Sequence, residues 1–192
     1  MVSQSRLTFE EWRNRARPLL TAGVEPDLAC RSIADDAPPP SAKTAPARRI
    51  VLPAGLMRLL DGISCFHAAG RYELMYRLAW RALFENPKLL EDVADADVRN
   101  AMRMHAAIRR DVHKMHAFVR FREMPGVDGE AVYVAWFEPQ HDILRRGSPF
   151  FVKRFPNMMW TIATPEGAAV WDRITLKFHD SPAPEVAYSG PF

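Results

Sequence analysis

Between Arg99 and Arg122 the chain carries seven basic residues, Arg99, Arg103, Arg109, Arg110, Lys114, Arg120 and Arg122, against one acid, Asp111. That window is +6 in a protein of 192 residues whose net charge is only +3, so everything else sums to −3. Charge concentrated in this way attracts polyanions, whatever the total. On an α-helix Arg99, Arg103, Arg110 and Lys114 fall within an arc of about 60°, opposite Ala101, Met104, Ile108, Val112 and Met115. One face reads as core. The other reads as a line of positive charge, flanked by Arg109, His113 and His116, whose spacing can neutralise several phosphates of one strand. The same pattern also suits a solvated face, although solvated faces commonly mix both signs. Arg120 and Arg122 follow on a predicted strand, on the side shared with Phe118. An aromatic ring beside arginines can hold a single strand by stacking plus charge, and Trp136 is a second stacking candidate.

Acid–base chemistry has fewer candidates: Asp111, His113, Glu138 and His141. Glu138-Pro139-Gln140-His141 places a carboxylate and an imidazole at a strand end, where catalytic groups are often found, but it equally fits a strand-terminating turn. Asp111 and His113 are two residues apart, so a helix points them about 160° from each other and away from a common ion. His113 and His116 are three apart and can share an ion, yet no acid or thiol lies near them in sequence. The HExxH, CxxC, GxxxxGK[ST] and GxSxG motifs do not occur, so no metal and no cofactor is expected and no catalytic site is assigned. A second basic group, Arg145, Arg146, Lys153 and Arg154, brackets Phe150 and Phe151 and reads mainly as the wetted ends of a short helix.

These residues need elements to hold them. Thr8 and Glu11 form a capping-box pattern that opens a helix with Phe9, Trp12, Ala16, Leu19 and Leu20 at helical spacing; Pro18 should kink or shorten it, and Gly23 should stop it. A second short helix is expected over Pro26 to Arg31. Residues 35–48, with four prolines among small residues, read as a Pro/Ala-rich linker. Residues 1–34 then form a helical appendage, 49–180 an α+β main domain and 181–192 a loose tail. The main domain opens with a short strand around Arg48 to Leu52. Helices follow from Pro53, from Arg71 to Phe84, from Asn86 to Asp92 and from Ala96 to His116, the last capped by Asp95. The period then changes from 3.6 to 2. Ala117 to Met124 and Ala131 to Phe137 alternate as strands around a Pro-Gly-Val-Asp-Gly turn. Helical spacing returns from Pro139 to Phe155, and a second hairpin joins Met159–Thr164 to Ala168–Trp171 before a strand from Ile174 to Phe178. The expected fold class is α+β: N-terminal helices followed by an antiparallel sheet of two hairpins separated by a helix.

With 48% apolar and 26% charged residues, the composition excludes wholesale disorder and fibrous classes, and the length suffices for a sizeable core. No run approaches the roughly 20 apolar residues of a membrane span, and Met1 to Glu11 lack the apolar segment of a secretory signal. Two cysteines, Cys30 and Cys65, suit a reduced compartment as buried thiols. The expected location is the cytoplasm.

Five stretches, in fixed order, carry a family resemblance: Arg109-Arg-Asp-Val-His-Lys-Met115, Ala117-Phe-Val-Arg-Phe-Arg-Glu123, Ala135-Trp-Phe-Glu-Pro139 with His141, Pro149-Phe-Phe-Val-Lys-Arg-Phe155 and Met159-Trp-Thr-Ile-Ala-Thr-Pro165. From Phe9 to Phe178 the chain resembles an uncharacterised bacterial family of DNA-metabolism proteins. Its members occur alone beside a radical-SAM protein similar to spore photoproduct lyase, or fused ahead of a UdgX-type uracil-DNA glycosylase domain. Phe9-Glu-Glu-Trp-Arg13 and Leu19-Leu-Thr-Ala-Gly-Val24 look like the leader of the fused form. Two departures stand out. A proline-rich tail replaces the family's aromatic and arginine-rich end, and the glycosylase domain with its iron–sulfur cysteines is missing, so uracil chemistry transfers to no residue here. The resemblance implies a DNA-repair accessory role, with DNA and a uracil-DNA glycosylase or radical-SAM repair protein as partners. Three readings therefore stand: a nucleic-acid-binding accessory module, an enzyme acting on DNA or nucleotides, and a scaffold that docks a repair partner through exposed aromatics.

Overall fold

The computed structural model describes residues 7–29, 50–68, 70–126 and 129–180. They form two units, which meet in sequence at Ile108 and Arg109. The expected linker 35–48 and tail 181–192, with Cys30, lie outside the described residues.

The first unit is helical. Helix α1, Phe9–Thr21, opens with the expected capping box: Thr8 Oγ1 accepts from the Glu11 amide at 3.2 Å, and Glu11 Oε2 accepts from the Thr8 amide at 2.7 Å. The helix is not shortened at Pro18. Pro18 and Asn14, whose carbonyl loses its intrahelical donor, both lie on the exposed face of the helix. Gly23, in the left-handed region at φ 67°, ends the helix. Residues 26–29 are helical, as expected.

Helix α2 spans Ala54–Ser64, and helix α3 spans Arg71–Phe84. Trp12, Ala16, Leu19 and Leu20 of α1 lie in one hydrophobic cluster with Leu56, Leu60 and Ile63 of α2 and Leu74, Met75 and Leu78 of α3. Two tyrosines of α3 tie down both ends of α1. The Tyr72 hydroxyl accepts from the Leu7 amide at 2.8 Å and donates to the Leu7 carbonyl at 2.9 Å, while Tyr76 donates to the Val24 carbonyl at 2.8 Å. The described residues 7–29 of the expected appendage thus contribute to the core of this unit. The expected strand at its start is absent from the described residues 50–52. Asn86–Asp92 forms a turn and a 3-10 helix, Leu89–Glu91, in place of an α-helix.

Helix α4, Ala96–Phe118, begins in the first unit and contributes Val98, Ala101 and Met104 to the same cluster. Asp95 caps it, accepting from the Val98 amide at 3.0 Å. Gly62 allows close approach of α2: a Cβ there would lie 2.2 Å from Cδ2 of His105 on α4. An imidazole ring cannot fold away as the end of a flexible chain can. Gly62→Ala is therefore expected to lower stability by about 1–3 kcal/mol through overpacking, read as a fall in the urea midpoint with unchanged slope.

The second unit contains a five-stranded sheet in the order β1 (Arg122–Pro125), β2 (Ala131–Trp136), β3 (Trp160–Thr164), β4 (Gly167–Trp171) and β5 (Leu176–His179). Helix α5, Leu144–Arg154, lies between β2 and β3 in sequence. The α+β class expected from the sequence is the observed one, and the sheet is mostly antiparallel. One pair departs: β2 and β3 run parallel, with Tyr133 opposite Trp160 and Trp136 opposite Ala163. A helical crossover returns the chain in its original direction, so the two hairpins join through their inner strands as a β-α-β unit. Phe121, Phe151, Phe155 and Trp160 pack at tilted and edge-to-face angles, with centroid separations of 5.6–6.2 Å.

Two boundaries differ from expectation. The Val119 amide still donates to the Met115 carbonyl at 3.1 Å, so α4 persists through Phe118 and the strand begins only at Arg122. Of the expected strand Ala117–Met124, residues 117 and 118 remain in the helix and 119–121 form the link to β1. Residues 139–143 form a loop before α5, and the His141 amide within it donates to Asp111 Oδ2 at 3.0 Å. Among the described residues no helix is long and apolar enough to cross a membrane.

Candidate nucleic-acid interface

Within the second unit, the last ten residues of α4 (109–118) are held against α5. Gly147 makes room for Met115, whose Sδ would sit 2.4 Å from a Cβ at that position. The His116 ring stacks on Phe150 at 4.1 Å, and its Nε2 lies 3.0 Å from the Gly147 carbonyl. Burial of Asp111 and Met115 fixes the rotation of the helix and turns Arg109, Arg110, His113 and Lys114 outward. Arg109, Arg110 and Lys114 have no hydrogen-bond or ion-pair partner among the described residues. Their charges are uncompensated.

Phe118 is a helical residue, not a strand residue. It stands four positions after Lys114, hence next to it on the helix surface, and is 66% exposed. The expected pairing of Phe118 with the arginines of one strand face is replaced by a continuous helical ridge ending in an aromatic ring. Arg120 follows in the link to β1, where its Nη1 donates to the carbonyls of Ala117 at 2.8 Å and Val119 at 3.0 Å, which orients the exposed guanidinium. Arg122 opens β1 and is exposed. Trp136 is half-buried and donates its indole N–H to Glu138 Oε1 at 2.9 Å, so it is less available for stacking.

Arg99 and Arg103 occupy the part of α4 that belongs to the first unit. Both are exposed; Arg99 donates to the Ala94 carbonyl, and Arg103 Nη2 lies 3.4 Å from Asn100 Oδ1.

Two of the four acid–base candidates meet through a backbone group and not through two side chains. Asp111 is only 3% exposed, and its Oδ2 accepts from the His141 backbone amide at 3.0 Å, which ties the loop after β2 to α4. Glu138 is occupied by the Trp136 indole, and His113 projects from the exposed helix face. His116, three residues after His113, is taken up by Phe150 and Gly147. Among the described residues no group of three or more His, Cys, Asp or Glu side chains is arranged to hold an ion.

Two members of the second basic group, Arg145 and Arg154, are engaged within the second unit. Arg145 pairs with Asp180 at 2.9 Å and lies 4.7 Å over the Phe178 ring, and Arg154 lies over Phe155. Sequence reasoning missed the coupling of His116 to the half-exposed Phe150. Its only trace was an aromatic residue placed between two basic pairs.

The molecule is thus an α+β protein with an unpaired cationic helix face that ends in an exposed phenylalanine. It belongs to the family defined by a domain of unknown function, DUF4130, whose model matches residues 69–186. No curated protein and no solved structure matches the chain.

Proposed function

We propose that the chain is a nucleic-acid-binding accessory protein of DNA metabolism, which places DNA phosphates on Arg109, Arg110, Lys114, Arg120 and Arg122 and a base on Phe118. The observation that carries this reading is the uncompensated charge of Arg109, Arg110 and Lys114 on a helix held rigid by its buried face. Salt-bridged cations would have to exchange one partner for another, whereas these exchange only water and counterions for phosphate. The ring at the end of the ridge adds a sequence-tolerant stacking surface, which favours single-stranded or unpaired DNA.

The repair setting follows the motif resemblance, and with it the partner class, a uracil-DNA glycosylase or a radical-SAM repair protein. The part assigned to residues 109–122 in this reading is binding, with the repair chemistry left to that partner. An enzymatic role through Asp111, His113, Glu138 and His141 has less support, because Asp111 and Glu138 are already occupied by structural hydrogen bonds.

Residue-resolved NMR tests the assignment. Adding single-stranded DNA of about 12 nucleotides, within the usual span for such surfaces, should shift the amides of 109–122 and leave those of β4 and β5 in place. Shifts confined to other segments would remove the helix face from the interface.

A further inference from the structure

The first unit holds a cavity of about 380 Å³, with walls that include Phe66, Arg71, Leu74, Asn100, Arg103 and Met104. Arg71 is half-buried and fixed: Nε donates to the Ser64 carbonyl at 3.1 Å, Nη1 to the Ala68 carbonyl at 3.2 Å and Nη2 to the Tyr72 hydroxyl at 2.6 Å. Every one of these acceptors is neutral. Among the described residues no carboxylate pairs with Arg71, so a full positive charge is held at the wall by oxygens that do not cancel it. A guanidinium has five N–H donors, and two of them remain. Arg103, exposed and weakly held by Asn100, adds a second cation that is free to close on a ligand. Arg77, also at the wall, is neutralised by Asp97 at 2.8 Å.

Phe66, Leu74 and Met104 give this basic site an apolar lining, and Asn100 offers an amide that can both donate and accept. We infer that the cavity binds a nucleotide, with its phosphate between Arg71 and Arg103 and its base against the apolar lining. The volume lies near the lower end of the roughly 300–1,000 Å³ usual for small-molecule sites, which suits one nucleotide. Paired arginines suit phosphate, since their planar donors match its oxygens. The choice of a nucleotide over another phosphorylated molecule rests on the nucleic-acid reading above. The occupant is either a free mononucleotide or one unit of a bound strand.

Isothermal titration with thymidine 5′-monophosphate, thymidine and inorganic phosphate tests the inference. The monophosphate should bind saturably and more tightly than either fragment. Arg103→Ala should weaken it about 10-fold or more, as expected for loss of a charged hydrogen bond. Ala107→Trp, which fills the cavity from a half-buried position on α4, should abolish it. The Arg110→Ala/Lys114→Ala variant should bind the monophosphate as the parent does, so failure of the cavity and failure of the helix face are read separately. If the monophosphate displaces labelled single-stranded DNA, a strand unit occupies the cavity; if both bind together, the occupant is the free nucleotide. The inference is overturned if the folded protein does not bind the monophosphate, if phosphate alone binds equally well, or if Ala107→Trp and Arg103→Ala leave binding unchanged.

Discussion

Alanine at both Arg110 and Lys114 is expected to lower the slope of log K against log salt by about 2 units, close to one for each phosphate contact removed. At physiological ionic strength the same change weakens DNA binding on the order of 10- to 100-fold. Both side chains are exposed and without a protein partner among the described residues, so their loss should leave folding intact. Thermal unfolding of the variant should coincide with that of the parent. An unchanged slope in a variant of unchanged stability would mean that these two cations do not meet phosphate. Phe118→Ala separates charge from stacking: it should weaken single-strand binding by about 1–3 kcal/mol with little change in slope.

The largest stability effect is expected at Asp95. Its carboxylate caps α4 through the Val98 amide and accepts from Arg81 Nη2 at 2.6 Å and Nη1 at 3.2 Å, with the Asp95 side chain only 13% exposed. Arg81 also reaches Asp97 at 3.2 Å and Glu85 at 3.2 Å, so one guanidinium ties α3 to the start of α4. Asp95→Ala removes a cap worth about 1 kcal/mol and charged hydrogen bonds worth about 1.5–3 kcal/mol. A total loss of about 2–4 kcal/mol is expected in urea unfolding near neutral pH.

Acid should erase this difference. The hydrogen bond from Arg81, followed by that from the Val98 amide, holds the Asp95 carboxyl down at about 2, against an ordinary 3.8. The folded value lies below the unfolded one. The stabilisation is therefore complete above the unfolded value and is lost as pH falls from there toward 2. Parent and Asp95→Ala midpoints should converge over that interval, whereas a gap that persists at pH 2 would exclude the charged form as its source. Asp95→Asn keeps a capping side chain without the charge and should fall between the two.

Much of the fold was legible because it is local. Thr8 and Glu11 announce a helix start by chemistry that needs no distant partner, and the apolar spacing of Ala101, Met104, Ile108 and Met115 assigns one face of α4 to the core. The basic ridge was legible for the same reason, since neighbours on a helix surface follow from sequence spacing alone. What was missed depends on contacts far apart in sequence. Tyr72 and Tyr76 bond to Leu7 and Val24, 65 and 52 residues away, and these ties join residues 7–29 to a core. The parallel pairing of β2 with β3 depends on where α5 returns the chain, which no alternation of residues encodes. Phe118 was misplaced because the strand period begins at Ala117 while the backbone keeps its helical bonds through the Val119 amide. Asp111 was an acid–base candidate by residue type alone; its rotation toward the buried face gives it the His141 amide to hold. The arginine-lined cavity was invisible because Arg71 and Arg103 lie on different helices.

The central claim is that the helix face binds nucleic acid by releasing counterions. Fluorescence anisotropy of labelled single- and double-stranded DNA, titrated with the purified protein across a salt series, tests it most directly. The account predicts a steep slope, about 4 or more released ions, and tighter binding to the single strand. Absence of binding at low salt would contradict it and leave the cationic ridge a solvated or protein-facing surface.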